Sequence, residues 1–274
     1  MSEVLSSSNS LPGARLKRVL LSVAHQTQCD IERLSSGHAH RHIHALRVRM
    51  KKLRALLMLV EREIPQRTLE VIRQDIRFLK RAFAGDRDEA VVNDLCEKIT
   101  GTRTEGPGAR SPQKDVKPSR EKGRQIEAAA ARLTKRLQGL RLGRLVWKEA
   151  AKAFSHGYAK ARRWFERCQR KPFADRMHHW RAPVKEHYYQ SLCLLPEGNR
   201  CKSWRKLGSQ LGKMHDLAML EDHLQKGAQD GPLELVKAEM KRRRDRVFRL
   251  AGKLFASAPK KLKRRVLDTH SAKA

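Results

Sequence analysis

HALRVRMKKLRALLMLV, residues 44–60, carries two stripes when wound as a helix. At about 100° per residue, His40, His44, Arg47, Lys51 and Arg54 fall along one face. Leu46, Met50, Leu53, Leu57 and Val60 fall along another. An apolar stripe of this spacing buries itself in a helical bundle. The basic stripe then has to face a groove or the surface, because a buried cation needs a partner. Side chains three and four residues apart stand above one another on a helix, so these like charges repel. No Asp or Glu occurs between Glu32 and Glu61. A long polyanion lying along the stripe would relieve the repulsion.

The rest of the chain shares the bias. Among 274 residues, 61 Lys and Arg stand against 29 Asp and Glu, a net charge of +32. The excess covers most of the chain rather than one tail. Charge of this size works against a compact state and attracts nucleic acid, an anionic membrane surface or a phosphate polymer. Apolar residues make up 39%, lean but sufficient for a helical core. Five cysteines, Cys29, Cys96, Cys168, Cys193 and Cys201, form no C-x-x-C. That argues against a disulfide framework or a cysteine zinc site, and for a reducing, cytoplasmic setting. Cys96, between Leu95 and Ile99, reads as a small core residue. Val19–Ala24 is broken by Ser22 and is too short for a signal core. No stretch approaches a membrane span, so no membrane partner is expected.

Prolines divide the chain into runs of helical length with a period near 3.6, and strand-like alternation is scarce. Helices are expected near 14–36, 39–63, 66–84, 87–100, 120–140, 144–169, 174–194, 198–212, 215–228 and 232–257. Pro183 falls inside one of them, where it should kink the helix or mark a restart. Residues 101–119 have no apolar period and read as a linker. The basic residues from Pro259 onward read as a mobile tail.

The chain also repeats. His44-x-x-Arg47-x-x-x-Lys51 returns as His178-x-x-Arg181-x-x-x-Lys185. Downstream, Ala84-Gly-Asp-Arg87-Asp88 matches Gly212-Lys-Met-His215-Asp216, and in the same alignment Arg77, Leu79 and Phe83 match Arg205, Leu207 and Leu211. Two helical bundles of similar plan, 14–100 and 120–257, follow. They form a single domain over 1–257 with 101–119 between them and a basic tail at 258–274.

The two H-x-x-R-x-x-x-K helices, each followed by a helix ending in a small-residue turn and Arg-Asp or His-Asp, resemble the CHAD family (conserved histidine α-helical domain) over roughly residues 14–257. His44, Arg47, Val48, Lys51, Leu53 and Arg54 stand where that family's pattern has equivalents. The second repeat departs from it at Pro183 and Tyr188-Tyr189. The resemblance implies an all-α fold of two four-helix bundles related by pseudo-two-fold symmetry. It also implies a basic central groove or pore that binds inorganic polyphosphate. His44, Arg47, Lys51 and Arg54 would line one wall, and His178, Arg181 and Lys185 its counterpart. Arg77, Lys80, Arg87, Arg205 and His215 would add charge.

Blander readings exist for each feature. The stripes could be solvated faces paired with carboxylates on neighbouring helices. Arg73, Arg77 and Lys80, like Lys202, Lys206 and Lys213, could belong to ordinary amphipathic helices. Asp88 and Asp216 read as caps or as acceptors for their own neighbours. Alternate residues of His38, His40, His42 and His44 point about 200° apart on a helix, so the run cannot converge on a metal, and no metal or other cofactor is expected. No G-x-x-x-x-G-K-[ST], G-x-S-x-G or H-E-x-x-H occurs, and the carboxylates Asp86, Asp88 and Glu89 cluster at an expected helix start, where acids are favoured anyway, so no catalytic residue is expected.

Nucleic acid and polyphosphate both offer dense negative charge. Single-strand binders add aromatic platforms, yet residues 1–146 contain only Phe78 and Phe83 before Trp147, both on an apolar helix face by spacing. Duplex readers aim Arg, Asn or Gln at base edges, and the basic stripe has no Asn. A bare phosphate chain requires only converging cations. The expected function is therefore non-enzymatic binding of inorganic polyphosphate with association to polyphosphate granules. Sequence-nonspecific nucleic-acid binding is the alternative, and an enzyme of phosphate metabolism a further expected partner.

Overall fold

Leu46, Met50, Leu53, Leu57 and Val60 are all buried, as their spacing requires. The computed structural model describes residues 11–35, 39–83, 120–196, 198–226 and 230–271. Over these residues the chain is all-α, with no strand. Its helices are α1 (Pro12–Glu32), α2 (Ala39–Leu57), α3 (Gln66–Ala82), α4 (Arg120–Gln138), α5 (Trp147–Arg170), α6 (Ala174–Leu194), α7 (Asn199–Lys226), α8 (Asp230–Phe255) and α9 (Pro259–Ser271). The helix expected at 87–100, the linker 101–119, Arg87, Asp88 and Cys96 lie outside the described residues.

In the first half α1 packs on α2 and α4, and α3 packs on α2 and α4. In the second half α6 packs on α5 and α7, and α8 on α7. Helix α2 meets α6, and one apolar core runs through both halves. The repeated order of neighbours is compatible with two bundles on a common plan. Across the join, the Gln190 side-chain amide donates to the Ala55 carbonyl at 3.0 Å.

Several expectations change. Helix α2 stops at Leu57 rather than 63, and Pro65 caps the start of α3. The chain tightens there into short turns, with Leu59 and Val60 bonding three residues back. The helices expected at 198–212 and 215–228 are one helix, α7. Gly212 is therefore no turn, and Asp216 lies in mid-helix rather than at a cap. Pro183 is buried inside an unbroken α6, held by packing on three helices. The tail expected to be mobile is instead α9. It buries Leu262 and Val266 on α5, and the Ser155 hydroxyl donates to the Pro259 carbonyl at 2.9 Å. The His270 ring lies flat on Trp147, centroids 3.7 Å apart, and its Nε2 donates to the Leu194 carbonyl at 2.9 Å.

Two positions show how closely the helices approach. A Cβ on Gly13, in the first turn of α1, would stand 1.8 Å from the Leu142 carbonyl oxygen. Neither backbone can yield cheaply, so Gly13→Ala is expected to lower stability by about 2 kcal/mol, read as a lower urea midpoint with unchanged slope. His187 of α6 is fully buried against Phe154, Tyr158 and Trp204. Neither ring nitrogen has a hydrogen-bond partner among the described residues. Burial, with Arg200 adding to it, depresses its pKa to about 3.

Below pH 6.5 the unfolded chain binds this proton and the folded chain does not. Stability is therefore expected to fall by about 1 kcal/mol per pH unit from pH 6.5 toward 4. His187→Leu should flatten that slope while leaving stability at pH 7 unharmed; an equally steep slope in the variant would assign the acid sensitivity elsewhere.

Candidate functional site

The basic stripe of α2 turns away from the core, as its offset from the apolar stripe requires. His44 and Arg54 are exposed, and Arg47 and Lys51 are half-buried. The ammonium of Lys51 has its pKa lowered to about 8, first by burial and then by Lys185, Arg181, Arg47 and Lys80. Two of those cations belong to α6 and one to α3. The stripes of the two repeats therefore act on a common space. Arg54 bridges to Glu186 at 3.3 Å, the amide of Gln190 reaches Ala55, and Lys51 feels Arg181 and Lys185. These pairings advance together along both helices, so α2 and α6 run in the same direction.

Helix α7 shapes the second wall. Gly208 and Gly212 stand one turn apart, without side chains, under the cations of α6. A Cβ on Gly208 would lie 3.3 Å from Cγ of Lys185, and one on Gly212 would lie 3.1 Å from an Arg181 guanidinium nitrogen. A glycine inside a helix costs about 1 kcal/mol relative to alanine. Here each one makes room for a cation's stem. The spacing Gly208-x-x-x-Gly212 was visible in the sequence, but the match to Ala84-Gly85 made it look like a turn.

His178 and His215 also meet, Nδ1 to Nδ1 at 3.0 Å. One ring carries the proton and donates to the other. The pKa of His178 is lowered by burial, then by Arg181 and His179, with Asp175 opposing. Lys80 is exposed on α3 and acts on Lys51. Arg77 and Arg205 are exposed and are not among the cations acting on Lys51; Arg77 is paired with Glu70. Arg73 bonds Glu61 at 2.7 Å.

Three features were missed or misread in the sequence. Phe78, expected on an apolar face, is 40% exposed. Asp30 of α1, buried, accepts from Arg49 at 2.6 Å and pairs with His42 at 3.3 Å. That anchors the side of α2 away from the basic stripe. Glu186 of α6 pairs with Arg54 of α2 and, at 3.7 Å, with Lys160 of α5. Nothing in the local sequence of α2 signals that its last basic residue meets a carboxylate. Among the described residues no group of three or more His, Cys, Asp or Glu side chains is placed to hold a metal ion. Nor is any described helix long and apolar enough to cross a membrane.

The CHAD domain family model matches residues 18–225, most of the chain. The chain belongs to the CHAD family. No similar curated protein and no similar solved structure was found. The match takes in the H-x-x-R-x-x-x-K stretches of both α2 and α6 and ends near the C-terminus of α7. The CHAD match thus contains every cation that acts on Lys51.

Lys51 provides a direct test of this geometry. Its folded-state pKa lies below the ordinary 10.5, so the unfolded chain binds more protons between about pH 8 and 10.5, and stability rises with pH across that window. Lys51→Met is expected to melt higher than wild type at pH 7, where the ammonium is charged. The difference should close as the pH rises from 8 to 10. A variant that melts lower at pH 7 would show that the cations do not crowd one another.

Proposed function

We propose that this CHAD protein binds inorganic polyphosphate, without catalysis, along the cationic track between α2 and α6. The observation that carries the reading is the convergence on Lys51 of Lys185 and Arg181 from the other repeat and of Lys80 from α3. Crowding of this kind is unfavourable in the empty protein. It becomes favourable when a chain of phosphates lies among the cations. Arg47 and Arg181 can each meet phosphate oxygens in a fork, and the lysines act as point charges. His44, His178 and His215 become more cationic beside phosphate, so binding takes up protons. Granule association and an enzyme of phosphate metabolism as partner follow from this reading.

Nucleic acid is the second reading. Its support is the exposed Phe173, with the Arg176 guanidinium 5.5 Å from its ring centroid, a pairing suited to an unstacked base. That pairing involves none of the cations acting on Lys51.

Arg47→Glu/Lys51→Glu is expected to abolish retention on immobilised polyphosphate, a loss of at least about 100-fold from four units of charge, with helical circular dichroism unchanged. Retention equal to wild type would remove the site. Duplex DNA competing at equal phosphate concentration and equal salt separates the readings: displacement of polyphosphate by DNA favours the second.

A further inference from the structure

Glu186 has the wrong sign for a polyanion site and is a buried carboxylate beside the track's cations. It is 9% exposed and stands on α6 directly after Lys185. One carboxylate oxygen faces Arg54 of α2 at 3.3 Å and the other faces Lys160 of α5 at 3.7 Å. Arg54 is three residues past Lys51, so it would continue the same cationic row. One turn further along α6, Gln190 holds the Ala55 carbonyl. The two helices are thus tied together at their C-terminal ends, and the carboxylate lies at the start of that tie.

A buried carboxylate requires its cations. A phosphate arriving at Arg54 would meet the largely buried Glu186 carboxylate as a second anion competing for the same exposed guanidinium.

We infer that Glu186 is a built-in counter-ion that occupies Arg54 and marks the closed end of the anion track, so that a bound polymer stops short of Arg54. This rests on the reading of the α2–α6 track as a polyanion site, and it adds a residue that limits how many phosphates the track holds. The remaining cations, His44, Arg47 and Lys51 with Arg181 and Lys185, lie N-terminal to that bridge along both helices.

The test titrates labelled long-chain polyphosphate and, separately, duplex DNA into wild type, Glu186→Gln and Glu186→Gln/Arg54→Gln at two salt concentrations. Glu186→Gln is expected to bind about fivefold tighter, since it frees one charge-assisted contact. Its salt dependence should steepen by about one released counter-ion. The gain should vanish in the double variant. Equal or weaker binding by a Glu186→Gln protein with unchanged circular dichroism overturns the inference. Should that variant not fold, Glu186→Asp withdraws the carboxylate by one methylene; tighter binding by it supports the inference and weaker binding overturns it. If wild type ignores polyphosphate but Glu186→Gln tightens on DNA, the polyphosphate reading fails and the counter-ion stands. If wild type retains polyphosphate and Glu186→Gln changes nothing, the reverse holds.

Discussion

Lys51 sits where burial and four neighbouring cations all oppose its charge. The Arg54–Glu186 bridge and the Gln190–Ala55 hydrogen bond tie α2 to α6 only near their C-terminal ends. The larger force comes from the other side of the same helix, where Leu46, Met50, Leu53 and Leu57 are buried in the core shared by both halves. Complete burial of one such side chain contributes about 2 kcal/mol, and several act together along α2. The apolar stripe thereby holds the basic stripe of α2 against that of α6 despite their repulsion. The stored repulsion is what an incoming anion can release. Stability and binding are thus opposed at this helix: the cations that weaken the empty protein are those that attract the ligand.

The α7 glycines belong to the same balance. Arg181 and Lys185 are long side chains that would be crowded against a normal helix surface. Gly208 and Gly212 remove the obstacle, so the stems lie close to the α7 backbone. Wherever α7 lacks a side chain, α6 has a cation over it. The cost in helix propensity is local, and the packing of Trp204, Leu207, Leu211 and Met214 on the same helix offsets it.

Much of this was legible in the sequence. The two stripes of residues 44–60 fixed which side of α2 faces the core, because spacing alone decides that. The repeated H-x-x-R-x-x-x-K pointed to α6 as its counterpart. What spacing could not supply were partners distant in the chain. Glu186 lies more than a hundred residues from Arg54, Asp30 reaches α2 from another helix, and Lys160 comes from α5. Pairings of that kind depend on tertiary placement. The misread elements have local causes too. Gly212 looked like a turn because glycine usually breaks a helix, and its contact with Arg181 was invisible. The residues after Pro259 looked unstructured because their basic residues hid two apolar positions four apart, Leu262 and Val266, which seat α9 on α5. Phe78 looked by spacing to lie on the apolar face, but at about 100° per residue it stands more than a quarter-turn from Ile72, Ile76 and Leu79, on the exposed side of α3.

Helix α7 is longer than the main core it serves. Its first part contributes Trp204, Leu207 and Leu211 to the large core, while Leu217, Leu220 and Leu224 form a separate small cluster with Val236 of α8. Among the described residues this cluster has four buried side chains, with Met219, Leu233 and Met240 half-buried against it, and is much smaller than the main core. The distal ends of α7 and α8 are therefore suited to open and close as a subglobal unit, with amide protons exchanging there sooner than in the body. Arg181 and Lys185 rest on the proximal part of α7, inside the large core, so such fraying leaves their seats undisturbed.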